Sequence, residues 1–254
     1  MKISEIQAYC ITLDPTNKDR ALNTLIEIKK LGFKNPTFIS GVDLKKSSDD
    51  FIRKNVTPRA FMELNHGRYT HDALSGKGSV GCYMAHTNVW KLCIQKNAPL
   101  AIFEDDFVSF PGDDKKIQSI LSKAEGFGFD VLRFHQKGDV MINEELNDDL
   151  VNITKSGGLV TYIMTPNAAK KLLSTAFPID AHVDHYLDMG CYYHGLKNIG
   201  TKKSFYNDPH LDSVINHGDL KNYELNMNIY TLKSHWMCIL FIILVLIGAF
   251  FVKY

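Results

Sequence analysis

Apolar positions along the chain gather into short runs separated by stretches at helical spacing, and that alternation predicts an α/β fold. Ile6 to Leu13 is rich in apolar residues and is broken by Asp14-Pro15-Thr16-Asn17, the pattern of a buried strand followed by a turn. From Lys18 to Leu31, Leu22, Leu25, Ile26, Ile28 and Leu31 fall mainly at helical spacing, and Gly32 stands where a C-terminal cap belongs. Pro36 to Val42 supplies a second strand, so the chain opens as a β-α-β unit of the kind that starts nucleotide-binding sheets. Lys45 to Tyr69 is polar, mixed in charge and interrupted by Pro58, which predicts an excursion or lid.

Leu74 to His86 reads as a glycine-rich turn entering a helix that continues through Val89, Trp90, Leu92 and Cys93 and ends at Asn97-Ala98-Pro99. Ala101 to Val108 is then a strand. Beyond Pro111-Gly112 the pattern predicts a helix over Lys115 to Ala124, a strand over Phe129 to His135, a strand over Ser156 to Met164 entered by glycines, and a helix over Thr165 to Leu173 with Pro166 in its first turn. Trp236 to Val252 is uninterrupted by any charged or strongly polar residue and is flanked by Lys233 and Lys253. Such a run rises ~25 Å as a helix, at the short end of what spans a ~30 Å hydrocarbon core, and Trp236 and Tyr254 suit interfacial positions. The expected organisation is one domain over residues 1–220, a linker over 221–233 and a C-terminal transmembrane anchor over 234–254. Met1 to Leu13 falls short of a signal peptide's hydrophobic core, so the expected topology is a single-pass membrane protein whose main domain faces the cytosol.

Composition narrows the classes. Lys and Arg number 29 against 28 Asp and Glu, a formal charge of +1 with no basic stripe, which argues against a nucleic-acid partner. The 45% hydrophobic content supports a sizeable core. Cys10, Cys82, Cys93, Cys191 and Cys238 are scattered, odd in number and free of any C-x-x-C pair, which supports neither a disulfide framework nor structural zinc.

The candidate chemistry centres on Glu104, Asp105 and Asp106, three carboxylates between Ile102, Phe103, Phe107 and Val108. On an extended chain Glu104 and Asp106 share a face, and two hard oxygen donors at a strand end suit Mg²⁺ or Mn²⁺ that completes its shell with water and substrate phosphate. A strand end with solvated acids is the plain alternative. Backbone amides near Gly78 and Gly81 could cradle phosphate, although the spacing matches neither the phosphate-loop nor the dinucleotide fingerprint and a tight turn explains the glycines better. His86 is either part of that site or a core histidine. Asp180, Asp184 and Asp188 follow Pro178 at i, i+4, i+8, which on a helix would place them along one stripe; a solvated acidic face is the alternative.

Taken together these segments resemble the family 25 glycosyltransferases, which include bacterial lipooligosaccharide galactosyltransferases and collagen galactosyltransferase domains. The resemblance runs over about residues 5 to 216 and follows order as well as motif. Tyr9 to Asp14 with Asp19-Arg20 is similar to the family's opening strand and arginine, Gly78-Ser-Val-Gly-Cys82 with His86 and Trp90 to its central helix, and Ile102 to Val108 to its metal motif. Gly157-Gly158, Thr161-Tyr162 and Ala168 to Leu173 are similar to the next block, and Pro178 to Asp184 to the last acidic block. Ala85 stands where members often have serine, and Pro15 interrupts the opening loop.

The resemblance implies a GT-A-like nucleotide-sugar-binding domain with a mixed sheet flanked by helices. It further implies a UDP-sugar donor, commonly of galactose or glucose, a glycan, glycolipid or glycoprotein acceptor, and inversion at the anomeric carbon. With a Mn²⁺ or Mg²⁺ cofactor, the expected roles are Glu104 and Asp106 as metal ligands, Asp105 assisting, Asp184 as general base with Asp180 as runner-up, and Asp14 at the ribose or uracil. Arg20 either approaches the diphosphate or holds the opening loop, and Gly78, Gly81 and His86 fall on the donor side. A metal-dependent phosphohydrolase and a membrane-anchored, non-catalytic nucleotide- or glycan-binding module remain the alternatives.

Overall fold

The computed structural model describes residues 1–67, 70 and 72–209. Its strands are β1 (Gln7–Thr12), β2 (Lys34–Ser40), β3 (Leu100–Glu104), β4 (Val131–Arg133), β5 (Lys137–Glu145), β6 (Leu150–Gly157), β7 (Thr161–Met164) and β8 (Asn198–Thr201). Its helices are α1 (Asn23–Lys30), α2 (Asp49–Asn55), α3 (Pro58–His66), α4 (Lys77–Lys96), α5 (Asp113–Phe127), α6 (Pro166–Leu173) and α7 (Val183–Tyr193). The strands pair in the order β2-β1-β3-β7-β4-β8-β6-β5. β1 runs parallel to β2 and β3, and β7 lies antiparallel between β3 and β4, so β1, β3 and β4 all end at one edge.

Strand alternation sorts the core into two layers, one on each face of the sheet. Tyr9, Leu100, Ile102, Tyr162 and Met164 pack with residues of α4, α6 and α7. Their neighbours Ala8, Cys10, Ala101, Phe103 and Ile163 pack with residues of α1 and α5. Because β3 is covered on both faces, it reads as a continuous apolar run until Glu104. The mixed α/β sheet flanked by helices is the expected architecture.

Several boundaries differ from the sequence expectation. The acidic strand stops at Glu104, where the Phe107 N–H bonds the Glu104 carbonyl at 3.3 Å, so Asp105 and Asp106 lie in a turn and not on a strand extending to Val108. The polar excursion 45–69 contains two short helices capped by Ser48 and Thr57, each of which accepts a first-turn N–H. The segment Ser156 to Met164 divides between two strands, because Gly158 takes φ +73° and turns the chain between β6 and β7. The β5–β6 hairpin and β8 gave no clear periodic signal: β5, with Lys137, Asp139, Asn143, Glu144 and Glu145, is largely polar and forms one edge of the sheet.

The predicted Gly-rich turn is helix: Gly78 and Gly81 both lie within α4. A Cβ at Gly81 would stand 2.1 Å from the Val42 carbonyl oxygen, so this glycine lets α4 press against the chain leaving β2. That contact is a packing requirement, and it accounts for a glycine at position 81. The apolar run 236–252, the linker and the anchor lie outside the described residues; among the described residues no helix is long and apolar enough to cross a membrane. Gly81→Ala is expected to destabilise the fold by about 1–3 kcal/mol through overpacking, measured by urea denaturation.

Candidate functional site

The three acids at the end of β3 meet three different environments. Strand alternation turns Glu104 toward α4, where its Oε1 lies 3.2 Å from His86 Nε2. The His86 Nδ1 lies 2.9 Å from the Tyr162 hydroxyl, which also accepts the Trp90 indole N–H at 2.8 Å. Trp90 is only a donor and an ionised Glu104 only an acceptor, so with a neutral imidazole one arrangement satisfies the chain: Trp90 donates to Tyr162, Tyr162 to His86 Nδ1, and His86 Nε2–H to Glu104. His86 is fully buried, and both of its ring nitrogens are engaged.

Asp105 is neutralised from the other side. Its Oδ2 accepts the Thr12 hydroxyl at 2.7 Å, and its Oδ1 accepts the Arg20 Nε and Nη2 at 2.9 and 2.7 Å. The β1–β3 register sets Ile11 opposite Glu104 and thereby brings Thr12 beside Asp105. Arg20 is presented by a wide π-type turn over Lys18–Leu22, whose start is capped by the Asn17 side chain accepting the N–H groups of Asp19 and Arg20.

Asp106 is left with the least compensation. Arg20 Nη2 is 3.5 Å from its Oδ2, while its Oδ1 is buried without a hydrogen-bond partner. Burial, together with the neighbouring Glu104 charge, pushes its pKa up to about 7 against the lowering effect of Arg20. A buried, unpartnered carboxylate oxygen beside a second carboxylate is the donor chemistry that a hard divalent cation satisfies.

Two clefts meet at these acids. The smaller, about 130 Å³, lies at the ends of β1 and β2 and is lined by Thr12, Arg20, Val42, Leu44, Gly78 and His86 together with all three acids. The larger, about 610 Å³, is lined by His135, Lys137, Gly158, His182, Asp184, His185 and Tyr206. Cys82, Glu104 and Asp106 line both. Cys82 keeps its thiol proton, because burial and the surrounding Glu104, Asp184, Asp106 and Asp105 raise its pKa well above the ordinary value.

The predicted acidic stripe of Asp180, Asp184 and Asp188 does not form, because α7 begins only after Asp180. Asp184 lies in the first turn of α7, where its Oδ2 accepts the Gly158 N–H at 2.9 Å and its Oδ1 the His185 N–H at 2.8 Å. Asp180 precedes the helix, is held by Thr57 and by the Arg59 guanidinium, and lines neither cleft. Asp188 is buried against Arg133, with 2.7 Å between Nη1 and Oδ1, and also accepts the Ser156 N–H and an Asn198 amide proton. Arg133 in turn donates to the carbonyls of Ser156, Gly157 and Gly158. This buried pair fixes the loop whose Gly158 N–H holds Asp184. Asp14 is exposed, accepts the Thr16 N–H and hydroxyl, and lies outside both clefts.

The family model described as Glycosyltransferase family 25 (LPS biosynthesis protein) matches residues 6–187. The chain belongs to glycosyltransferase family 25. It is 25% identical over 223 residues to the procollagen lysyl hydroxylase and glycosyltransferase of Acanthamoeba polyphaga mimivirus, which covers 81% of this chain and 23% of that protein. It is 30% identical over 128 residues to a glycosyltransferase 25 family member of Drosophila melanogaster, 48% of this chain and 21% of that one. The chain thus spans roughly a fifth to a quarter of these relatives' length. A solved UDP-glucose pyrophosphorylase with bound UDP-glucose overlays with a TM-score of 0.48 at 12% identity, over 90% of this chain and 99% of that one. The family 25 match ends at Leu187, short of Asp188 and of the strand β8 that carries Asn198.

Thr12, Cys82, Tyr162 and Arg133 had no assigned role in the sequence reading. Arg133 carried a readable signal of its own, a single cation inside the apolar run Val131-Leu132-Arg133-Phe134. Asp188→Ala is expected to cost about 3–5 kcal/mol of stability by leaving Arg133 buried and uncompensated, as read from the shift of its urea midpoint.

Proposed function

We propose that this chain is a divalent-metal-dependent hexosyltransferase that moves galactose or glucose from a UDP-sugar to a hydroxyl of a glycan, lipid or protein by a single inverting displacement. The observation that carries the reading is the unpartnered buried oxygen of Asp106, beside Glu104, where two clefts meet. Membership of glycosyltransferase family 25 supports the reaction class. The larger cleft, where Asp184 is held by two backbone N–H groups among the carboxylates of the wall, suits an acceptor that must lose a proton.

In the reaction the acceptor oxygen bonds to the anomeric carbon, its proton leaves to a base, and the diphosphate departs with the former glycosidic pair. Asp184 is the proposed base. Its two backbone hydrogen bonds hold the carboxylate in one orientation on the acceptor cleft, and a second carboxylate position at Asp180 is engaged by Arg59 instead. Glu104 and Asp106 would hold Mn²⁺ or Mg²⁺, which when bound offsets charge on the leaving diphosphate. Asp105 acts through Arg20, fixing the guanidinium on the smaller cleft where it meets the diphosphate. Gly78 lies in the first turn of α4 and lines the same cleft, and an N–H at that position has no i−4 helical acceptor. His86 orients Glu104. The apolar run 236–252 is proposed, on sequence alone, to anchor the protein in a membrane.

A screen of UDP-sugars with the full-length chain and Mn²⁺ tests the reading. Transfer to an acceptor supports it, sugar-nucleotide hydrolysis alone points to a phosphohydrolase, and binding without turnover points to a recognition module. Activity is expected to vanish in EDTA and return with Mn²⁺; full transfer in EDTA would defeat the metal assignment. Asp106→Asn is expected to lose far more activity than Asp114→Asn at an exposed position of α5. Asp184→Asn is expected to lower turnover by roughly 10²–10⁴-fold while donor affinity, measured by calorimetry, is retained. Normal turnover in that variant would remove Asp184 as the base.

A further inference from the structure

The helix α4 carries Cys82 and His86 one turn apart, so both side chains face the end of β3, where Glu104 stands. One ligand atom from each of the three, Sγ, a ring nitrogen and a carboxylate oxygen, lies within 4.8 Å of the other two. We propose that Cys82, His86 and Glu104 form a coordination site for a borderline-soft dication of the zinc class, distinct in its ligands from the all-oxygen pair Glu104 and Asp106. Sulfur, imidazole nitrogen and one carboxylate oxygen are a zinc-type ligand set, and three protein ligands leave a fourth position for water or substrate. That position has somewhere to open, since Cys82 and Glu104 line both clefts.

The surroundings already contain what such a site needs. A ligating histidine is oriented by a hydrogen bond at its other nitrogen, and His86 Nδ1 has the Tyr162 hydroxyl at 2.9 Å. On binding, the Cys82 thiol gives its proton to solvent, and the ring passes from the tautomer protonated at Nε2 to the one protonated at Nδ1. Nδ1–H then donates to Tyr162, whose second lone pair takes the Trp90 indole. One proton is released per ion bound. Both arrangements draw on the one Glu104 carboxylate, so the zinc-class ion and the hard ion compete for it toward mutual exclusion, and zinc is expected to inhibit transfer. This exclusion rests on the proposed role of Glu104 in the transferase; the binding itself does not.

Cobalt(II) added alone to the full-length chain reads the site without any turnover. A thiolate-to-cobalt charge-transfer band is expected, lost on addition of Zn²⁺ and absent in both Cys82→Ala and Cys82→Ser, with folding of each variant checked by circular dichroism. The band is expected to persist in Asp106→Asn and to fade as Mn²⁺ is added. No band at saturating cobalt, a band that survives in folded Cys82→Ala, or its loss in Asp106→Asn would each overturn the site. Mn²⁺ bound by paramagnetic resonance with the band unchanged would overturn the exclusion. A chain that shows the band but transfers no sugar would leave the site standing and remove the transferase reading.

Discussion

Three successive carboxylates at the end of a strand buried on both faces repel one another where solvent screens them least, and the fold answers each in a different way. Asp105 receives a guanidinium and a hydroxyl. Glu104 receives the last donor of a buried chain that starts at a tryptophan. Asp106 receives little, and one of its oxygens stays without a partner. The unequal division is what makes the cluster a site: two charges are compensated by fixed protein groups, and the remaining demand points into a cleft.

That division depends on register. Thr12 reaches Asp105 because β1 pairs with β3 in a frame that sets Ile11 against Glu104, and a slip of one residue would turn every side chain of β3 to the opposite face. Glu104 would then face α1 and α5 while His86 stayed on α4. The apolar alternation of Ala8 with Tyr9, and of Ala101 with Ile102, is what holds the frame, since each face of the sheet has its own helical layer to fill. Core packing and site geometry are therefore one constraint. The Arg133–Asp188 pair plays the matching part across the sheet: buried charges that gain little by themselves tie the Gly157–Gly158 turn to α7 and so set the position of Asp184.

The parts of this architecture legible in the sequence were those written in short-range periodicity. The strand Ile6 to Leu13, the helix after Thr165 and the acidic strand end each carry a strong local pattern with clear turn or cap residues. The β5–β6 hairpin did not, because β5 forms a polar sheet edge and its pairing is non-local. The helices α2 and α3 were obscured for a related reason: at about two turns each they are too short to show a periodic face, and their capping residues, Ser48 and Thr57, sit in a generally polar stretch.

The two i, i+4 patterns in the chain make the same point in opposite directions. Asp180 and Asp184 have the spacing of one helical face, but Ile179 is drawn into a bridge with Val56, Asp180 turns to Arg59, and the helix starts only at Val183. Cys82 and His86 have that spacing too, and there the helix is continuous, so the face is real. Spacing says which residues could share a face; whether they do is decided by where the helix begins. For α7 that boundary is set by contacts with a segment more than a hundred residues earlier, through the pairing of Ile179 with Asn55 and Thr57. No local pattern around Pro178 could have revealed it. In α4 the close approach of Gly81 to the Val42 carbonyl aligns the helix against the sheet, and the same alignment carries Cys82 and His86 to the end of β3. Gly81 thus bears on the site through packing, by letting the helix that carries Cys82 and His86 come close to the chain leaving β2.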